Sequence, residues 1–232
     1  MQIKYIMKFT YYGHSCFGVE IKNKKLLFDP FISPNELAKD INIPGIEADF
    51  ILQSHGHADH IADCITIAQA TKAKVICNWE IHEWLFKKGV NKTHPMNTGG
   101  SWDFGDFRVK CTVAQHSSGL PDGSYGGNPL GFIVFTEKAN FYYSGDTALT
   151  LDMQLIPQWA KLNFAVLPVG DNFTMGYEDA LKAAKMIDCK NIIGVHFDTF
   201  GFIKIDHKKA IDEFQTNGRK LILPVIGETF EI

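Results

Sequence analysis

Residues Ser54–His60 read SHGHADH, three histidines and an aspartate within seven positions. The preceding DFILQS (49–54) is a short apolar run that predicts a buried strand. HIADCITIAQAT (60–71) carries apolar residues at Ile61, Cys64, Ile65 and Ala68, the period of a helix. The cluster therefore sits on a strand-to-helix turn, where a rigid strand end can fix side chains that do chemistry. In such a turn His55 and His57 can point to one side, with Gly56 supplying a bend that a Cβ would hinder. Asp59 and His60 open the next helix and face elsewhere, so one stretch can serve two cations.

The same arrangement recurs along the chain. RVKCTVAQ (108–115) runs into His116, NFYYSG (140–145) into Asp146 and NIIGV (191–195) into His196. KKLLF (24–28) runs into Asp29, and FAVLPVG (164–170) into Asp171. Imidazole and carboxylate together suit borderline divalent ions such as Zn²⁺, and an aspartate between two histidine sets can bridge two of them. A purely structural zinc fits poorly, since such sites are closed and usually thiolate-rich and this cluster holds no cysteine. An idle histidine loop fits worse, because convergent His/Asp sets mark metal or catalytic sites.

The remaining pattern predicts further strands at MKFTYYG (7–13), FGVEI (17–21) and KVICN (74–78), and a hairpin of GFIVF (131–135) and NFYYSG across TEKA. KLILPVI (220–226) reads as a last strand. Helices are predicted at EIHEWLFKKG (80–89), at MGYEDALKAAKMID (175–188), with Ala180, Leu181, Ala184 and Ile187 on one face, and at HKKAIDEFQTNG (207–218). ISPNELAKDINIPGIEA (32–48) reads as a loop with a helical turn after Pro34, and NKTHPMNTGGSWDFG (91–105) as a polar connection. SSGLPDGSYGGNP (117–129) is a loop that could separate a pair of β-rich halves, but composition does not shift there, so one domain over residues 1–232 is expected. Two packed sheets with helices outside accommodate these elements.

Composition narrows the partners. With 45% hydrophobic and 21% charged residues, the 232-residue chain can build a sizeable core. A net charge of −3 lacks the basic excess of a surface that coats nucleic acid. Five scattered cysteines without a C-x-x-C pair read as reduced core thiols in a cytoplasmic protein. The first fifteen residues lack the apolar segment of a secretory leader, and no apolar run approaches the ~18 residues of a spanning helix, so no membrane partner is expected.

The spacing H-x-H-x-D-H at His55, His57, Asp59 and His60, followed by His116, Asp146 and His196, resembles the ligand set of the metallo-β-lactamase superfamily. YYGHSCF (11–17), LLFDPF (26–31), YSGDT (143–147), PVGDNFTMGYEDA (168–180) and HFDTF (196–200) are similar to uncharacterised metal-dependent hydrolases close to ascorbate-6-phosphate lactonase. The resemblance implies an α/β (α+β) fold, a four-layer αββα sandwich with metals at one edge. It implies that His55, His57 and His116 hold a first metal, that Asp59, His60 and His196 hold a second, and that Asp146 bridges them. Oxygen-reducing diiron relatives carry an acid where this chain has His57, which favours a hydrolase. RNA-processing and glyoxalase-type relatives carry added regions for which 232 residues leave little room.

The expected function is that of a dinuclear metal-dependent hydrolase, using a metal-bound hydroxide on a small ester, lactone or phosphorylated substrate, an anionic one included. Two divalent transition metals are implied, Zn first, with Mn, Fe, Ni and Co as alternatives. Such ions lower the pKa of water from ~15.7 towards ~7. Asp59 would orient the hydroxide and could take its proton. His14, in YGHS, would touch substrate or a carboxylate near the ligands. Asp29 and Asp198 are candidates to accept the ring N–H of ligand histidines. Thr174 would cap the following helix, or that helix start, with Met175 and Gly176, would offer N–H groups to an anion. Tyr125 is a candidate for the pocket mouth, whereas His82, His94 and His207 read as surface histidines without partners. The rival readings are a phosphodiesterase or nuclease and a non-catalytic metal sensor. The resemblance hints only weakly at a homo-oligomer.

Overall fold

The computed structural model describes residues 7–232. Residues 1–6, within the stretch read as lacking a leader, lie outside the described residues. The chain opens with an antiparallel meander, β1 (Lys8–Gly13), β2 (Cys16–Ile21) and β3 (Lys24–Phe28). It then alternates β4 (Phe50–Leu52), α1 (Ala58–Ile61), α2 (Cys64–Thr71), β5 (Lys74–Cys77), α3 (Trp79–Lys87) and β6 (Thr93–Pro95), with β3 to β6 parallel. The second sheet follows the same plan. β7 (Ser101–Asp103), β8 (Arg108–Val113), β9 (Leu130–Phe135) and β10 (Phe141–Tyr143) are antiparallel. After α4 (Ile156–Trp159) come β11 (Phe164–Pro168), α5 (Tyr177–Met186), β12 (Asn191–Val195), α6 (His207–Thr216) and β13 (Lys220–Ile222), with β10 to β13 parallel. A final β14 (Thr229–Glu231) returns to pair with β1.

Among the described residues each sheet has seven strands, ordered β14-β1-β2-β3-β4-β5-β6 and β13-β12-β11-β10-β9-β8-β7. Between them lies an aromatic core in which Phe17 stacks on Phe28 at 4.4 Å and Tyr143 meets both edge-on. α2 and α3 cover the outer face of the first sheet, and α5 and α6 that of the second. The alternating burial of β1 and β2 agrees with strands that present alternate side chains to this core. On α5, Ala180, Leu181 and Ala184 are buried, as is Ile187 at its C-cap, so the helical period did locate the packed face. The four layers are those of the expected αββα sandwich.

Several local expectations are corrected. The polar connection 91–105 contains β6 and β7, three-residue edge strands one in each sheet. The sheets therefore divide near residues 97–100, and the glycine-rich loop 117–129 lies inside the second sheet, between β8 and β9. KLILPVI is not the last strand, since β14 follows it. The helix expected over 60–71 is broken between α1 and α2, and Ile65 is only partly buried while Ile67 is packed. The helical turn expected after Pro34 is present as the 3-10 turn Glu36–Ala38, and a second, Ile43–Gly45, follows it.

This topology fixes where the chemistry lies. β1, β3 and β4 run in one direction, as do β8, β10 and β12, so their C-terminal ends share an edge of each sheet. Hydrogen bonds join the two edges: Leu130 N donates to Ser54 O at 2.9 Å, and His196 N to His14 O at 2.9 Å. No helix among the described residues is long and apolar enough to cross a membrane.

Candidate metal centre

The joined edges carry unusual backbone. Among the described residues, six of the nine non-glycine residues with left-handed φ are His14, Asp29, Asp171, Asn172, His196 and Asp198, all just past a strand end. Such conformations are disfavoured for residues with a Cβ and concentrate where surrounding packing imposes them, often at functional sites. Gly145, just before Asp146, has φ of +60°, and a Cβ there would lie 2.6 Å from Leu130 O. Gly56 serves differently from the bend expected of it. Its φ is not left-handed, and its missing Cβ makes room for Leu120 Cδ2, which would lie 3.0 Å away.

Two donor groups stand side by side. One ligand atom each from His55, His57 and His116 lie within 4.8 Å of one another, and so do those of His14, Asp59, His60 and His196. His55 Nε2 faces His57 Nδ1 at 3.0 Å, and both rings meet His116 edge-on. Asp146 reaches both groups: its Oδ2 lies 3.1 Å from His60 Nε2, 3.0 Å from His196 Nε2 and 3.8 Å from His116 Nε2. Asp59 Oδ2 lies 3.9 Å from His196 Nε2 and 4.0 Å from His60 Nε2. The seven residues singled out from spacing are thus brought together.

The donors fit a cation. His60 is fully buried, and its Nδ1 faces Asp29 Oδ2 at 2.9 Å, yet among the described residues its Nε2 has no partner in hydrogen-bond geometry although Asp146 is at ion-pair distance. A buried, unpartnered imidazole nitrogen costs free energy unless something fills it, and a cation shared with Asp146 would. The charges are mutually dependent. Burial pushes the Asp146 carboxyl up, but His196 and His60 outweigh it and hold it well below the ordinary carboxylate range. For His60, burial alone would lower the imidazole; the Asp146 and Asp29 carboxylates raise it well above its ordinary value. His55, His57 and His116 are lowered, chiefly by burial, which keeps them neutral and able to coordinate.

Asp29 is the hub beneath the donors. It accepts from Ser54 N at 2.7 Å, Ser54 Oγ at 2.5 Å, Tyr143 Oη at 2.6 Å and Gln53 Nε2 at 3.3 Å, besides facing His60. His14 Nε2 lies 3.2 Å from Asp59 Oδ2, and its Nδ1 lies 3.0 Å from Thr199 Oγ1. An ionised carboxylate only accepts, so the ring proton sits on Nε2 and the Thr199 hydroxyl donates to Nδ1. Burial, then the neighbouring His196, push His14 down to about 3, so the ring is neutral near pH 7. For Asp59, burial raises the carboxyl, but the His14 hydrogen bond and the His60 charge carry it below its ordinary range. A carboxyl held low is a weak base, so Asp59 suits holding and orienting better than storing a proton.

Other candidates fall elsewhere. Asp198 accepts from His207 Nε2 at 2.6 Å and from Ile205 N at 3.2 Å, so its histidine partner is exposed and outside the donor groups. Thr174 does not cap α5; Gly176 is the N-cap residue and Thr174 Oγ1 donates to Met175 O at 3.4 Å. Asp171 is exposed, and neither it nor Thr174 lines the cavity beside the donors. Tyr125 is exposed, bonded to Asn128 and also off that cavity. The histidines read as unpartnered all have contacts: His82 with Thr93, His94 with Trp102 and Phe104, His207 with Asp198. Sequence reasoning missed Ser54, Gln53 and Tyr143 as partners of Asp29, and missed Thr199. It also missed Phe173, Phe200 and Phe202 on the cavity wall, where the signal was bulky aromatics in loops just past β11 and His196.

The chain is similar to several known proteins. Residues 24–197 match the Beta-lactamase superfamily domain. A UPF0173 metal-dependent hydrolase of Flavobacterium johnsoniae is 50% identical over 226 residues, covering 97% of this chain and 100% of the relative. The solved structure of Igni18, a metallo hydrolase from Ignicoccus hospitalis, has a TM-score of 0.89 at 31% identity, covering 98% of this chain and 99% of that one. An isothiocyanate hydrolase from Delia radicum gut bacteria has a TM-score of 0.80 at 20% identity, covering 97% and 99%, a likeness of fold.

Proposed function

The chain belongs to the beta-lactamase superfamily and is a metal-dependent hydrolase; we propose that it works with two divalent transition cations, in one domain, on a small ester, lactone or phosphorylated compound. The observation that carries this is the pair of donor groups with the Asp146 carboxylate between them. His55, His57 and His116 would hold one cation, Asp59, His60 and His196 the other, and Asp146 both. His/Asp donors suit Zn²⁺ first and admit Mn, Fe, Co or Ni.

When bound, the cations supply Lewis acidity, lowering the pKa of water and polarising the bond to be broken. In hydrolysis of an ester, water's oxygen bonds the acyl carbon, the acyl C–O bond breaks, and a proton passes to the leaving oxygen. Asp59 faces the open side of the site and would orient the attacking water. His14 positions Asp59 through Nε2 and is itself set by Thr199. Asp29 holds the His60 ring so that Nε2 points at the site. The five free, buried cysteines support a reducing, cytoplasmic setting.

Metal analysis of protein loaded and dialysed tests the reading. Two cations per chain are expected, followed by turnover on a panel of lactone, phosphodiester and thioester substrates. A single cation removes the dinuclear mechanism. Full loading with no turnover on any substrate favours the sensor, and turnover confined to phosphodiesters favours the phosphodiesterase.

A further inference from the structure

The cavity above the donors has a volume of about 880 Å³ and two unlike sides. His57, Asp59, His116, Asp146 and His196 form one. Phe173, Phe200 and Phe202 form the other. Phe202 is 79% exposed and Phe173 51%, their ring centroids 6.3 Å apart and edge to face. Both sit on ordered turns. Phe173 follows two left-handed residues, with its N–H 2.6 Å from Asp171 O. Phe202 lies on the 3-10 turn Gly201–Ile203, pinned by the buried Ile203 and by Asp198 N bonded to Ile203 O at 2.8 Å. Phe200 packs edge-on against His14.

The rest of the lining is neutral: Ser117, Asn172, Thr199 and Gly201. Among the described residues, neither lysine nor arginine lines this cavity. A phosphate remote from the reacting bond would need such a cation or a free helix N-terminus, and the start of α5 is not on the lining. Clustered exposed aromatic rings beside a concave polar site are instead what an apolar ligand group covers.

We infer that Phe173, Phe200 and Phe202 are a specificity wall for a neutral apolar group, aryl or branched alkyl, next to the scissile bond, so that the substrate is an apolar ester or lactone rather than a phosphorylated one. This rests on the hydrolase reading above and names its substrate class.

A matched pair of chelators tests the wall without turnover. Acetohydroxamic and benzohydroxamic acids share a metal-binding head and differ in a methyl against a phenyl group. On Zn²⁺-loaded protein, calorimetry is expected to give benzohydroxamic acid a Kd at least about tenfold lower, the gain of covering one ring. In the variant carrying Phe173→Ala and Phe202→Ala the ratio falls to within about twofold. The acetohydroxamic acid Kd, zinc content and gel-filtration volume stay as in the wild type. Phe200 is left in place because it packs on His14. A ratio near one in the wild type overturns the inference, as does a ratio kept in the double variant. A shift in gel-filtration volume with the ratio unchanged overturns it too, because the rings then lie between copies of the chain. Turnover adds a second arm, with γ-phenyl-γ-butyrolactone preferred over 6-phosphogluconolactone by about tenfold or more in kcat/KM. Preference for the phosphorylated lactone overturns the wall. Turnover of neither, with the hydroxamate ratio intact, supports the wall and removes the ester and lactone reading instead.

Discussion

Asp29 and Asp146 occupy matching places. Each follows the strand at which its sheet changes from antiparallel to parallel pairing, β3 in the first sheet and β10 in the second. The neighbours correspond as well: His14 follows β1 as His116 follows β8. The surroundings of the two carboxylates differ. Asp29 is saturated by an amide N–H, a serine and a tyrosine hydroxyl and a glutamine amide, with one imidazole besides. Asp146 faces the ring nitrogens of His60, His196 and His116. A carboxylate whose lone pairs are filled by protein donors belongs to the scaffold. One that faces imidazole nitrogens would be free to share a cation with them.

The largest break of this contrast is Asp146→Asn. It removes the charge between the donor groups and leaves the scaffold intact. Bound metal is expected to fall below two per chain, and turnover by about three orders of magnitude or more, roughly 4 kcal/mol of transition-state stabilisation. Retention of two cations and turnover would show that Asp146 is not the shared ligand.

Asp29→Asn is expected to act the other way round. Its amide would turn N–H groups towards Ser54 and Tyr143, which are themselves donors, in a fully buried place. Metal-free protein should lose about 2–4 kcal/mol of stability, measured by urea unfolding. Metal affinity should fall by about 10- to 100-fold although no ligand atom is lost, because the His60 ring is no longer held. Undiminished affinity would mean that packing alone orients His60.

The contrast also marks what the sequence could convey. SHGHADH was legible because its donors are neighbours in the chain, and His116, Asp146 and His196 because each ends an apolar strand with a residue type that coordinates metal. The partners of Asp29 were not. Tyr143 is 114 positions away, and serine, glutamine and tyrosine at a strand end look like any other polar residues. The main strands and helices carried a period long enough to read. β6, β7 and β14 are three residues each and half-buried or exposed, too short for an alternation to declare itself. The cavity wall escaped because aromatic residues in loops carry no period at all, and only the fold brings 173 and 202 together.

The smallest expected effect separates position near a ligand from contact with it. Asp198 is two residues past His196, and by sequence it was as good a candidate as Asp29 to hold a histidine of the site. Its carboxylate instead meets His207, whose side chain is half exposed, and the Ile205 N–H. Asp198→Asn keeps an acceptor and tolerates the left-handed backbone at φ of +60°. An exposed pair of this kind contributes at most about 1 kcal/mol. Metal content and turnover should therefore stay within about twofold of the wild type, while Asp29→Asn lowers metal affinity. If Asp198→Asn sheds metal as Asp29→Asn does, then backbone geometry at 196–198 governs the donors more than the bonds of Asp29, and the difference between the two sheet edges is one of strain rather than of hydrogen bonding.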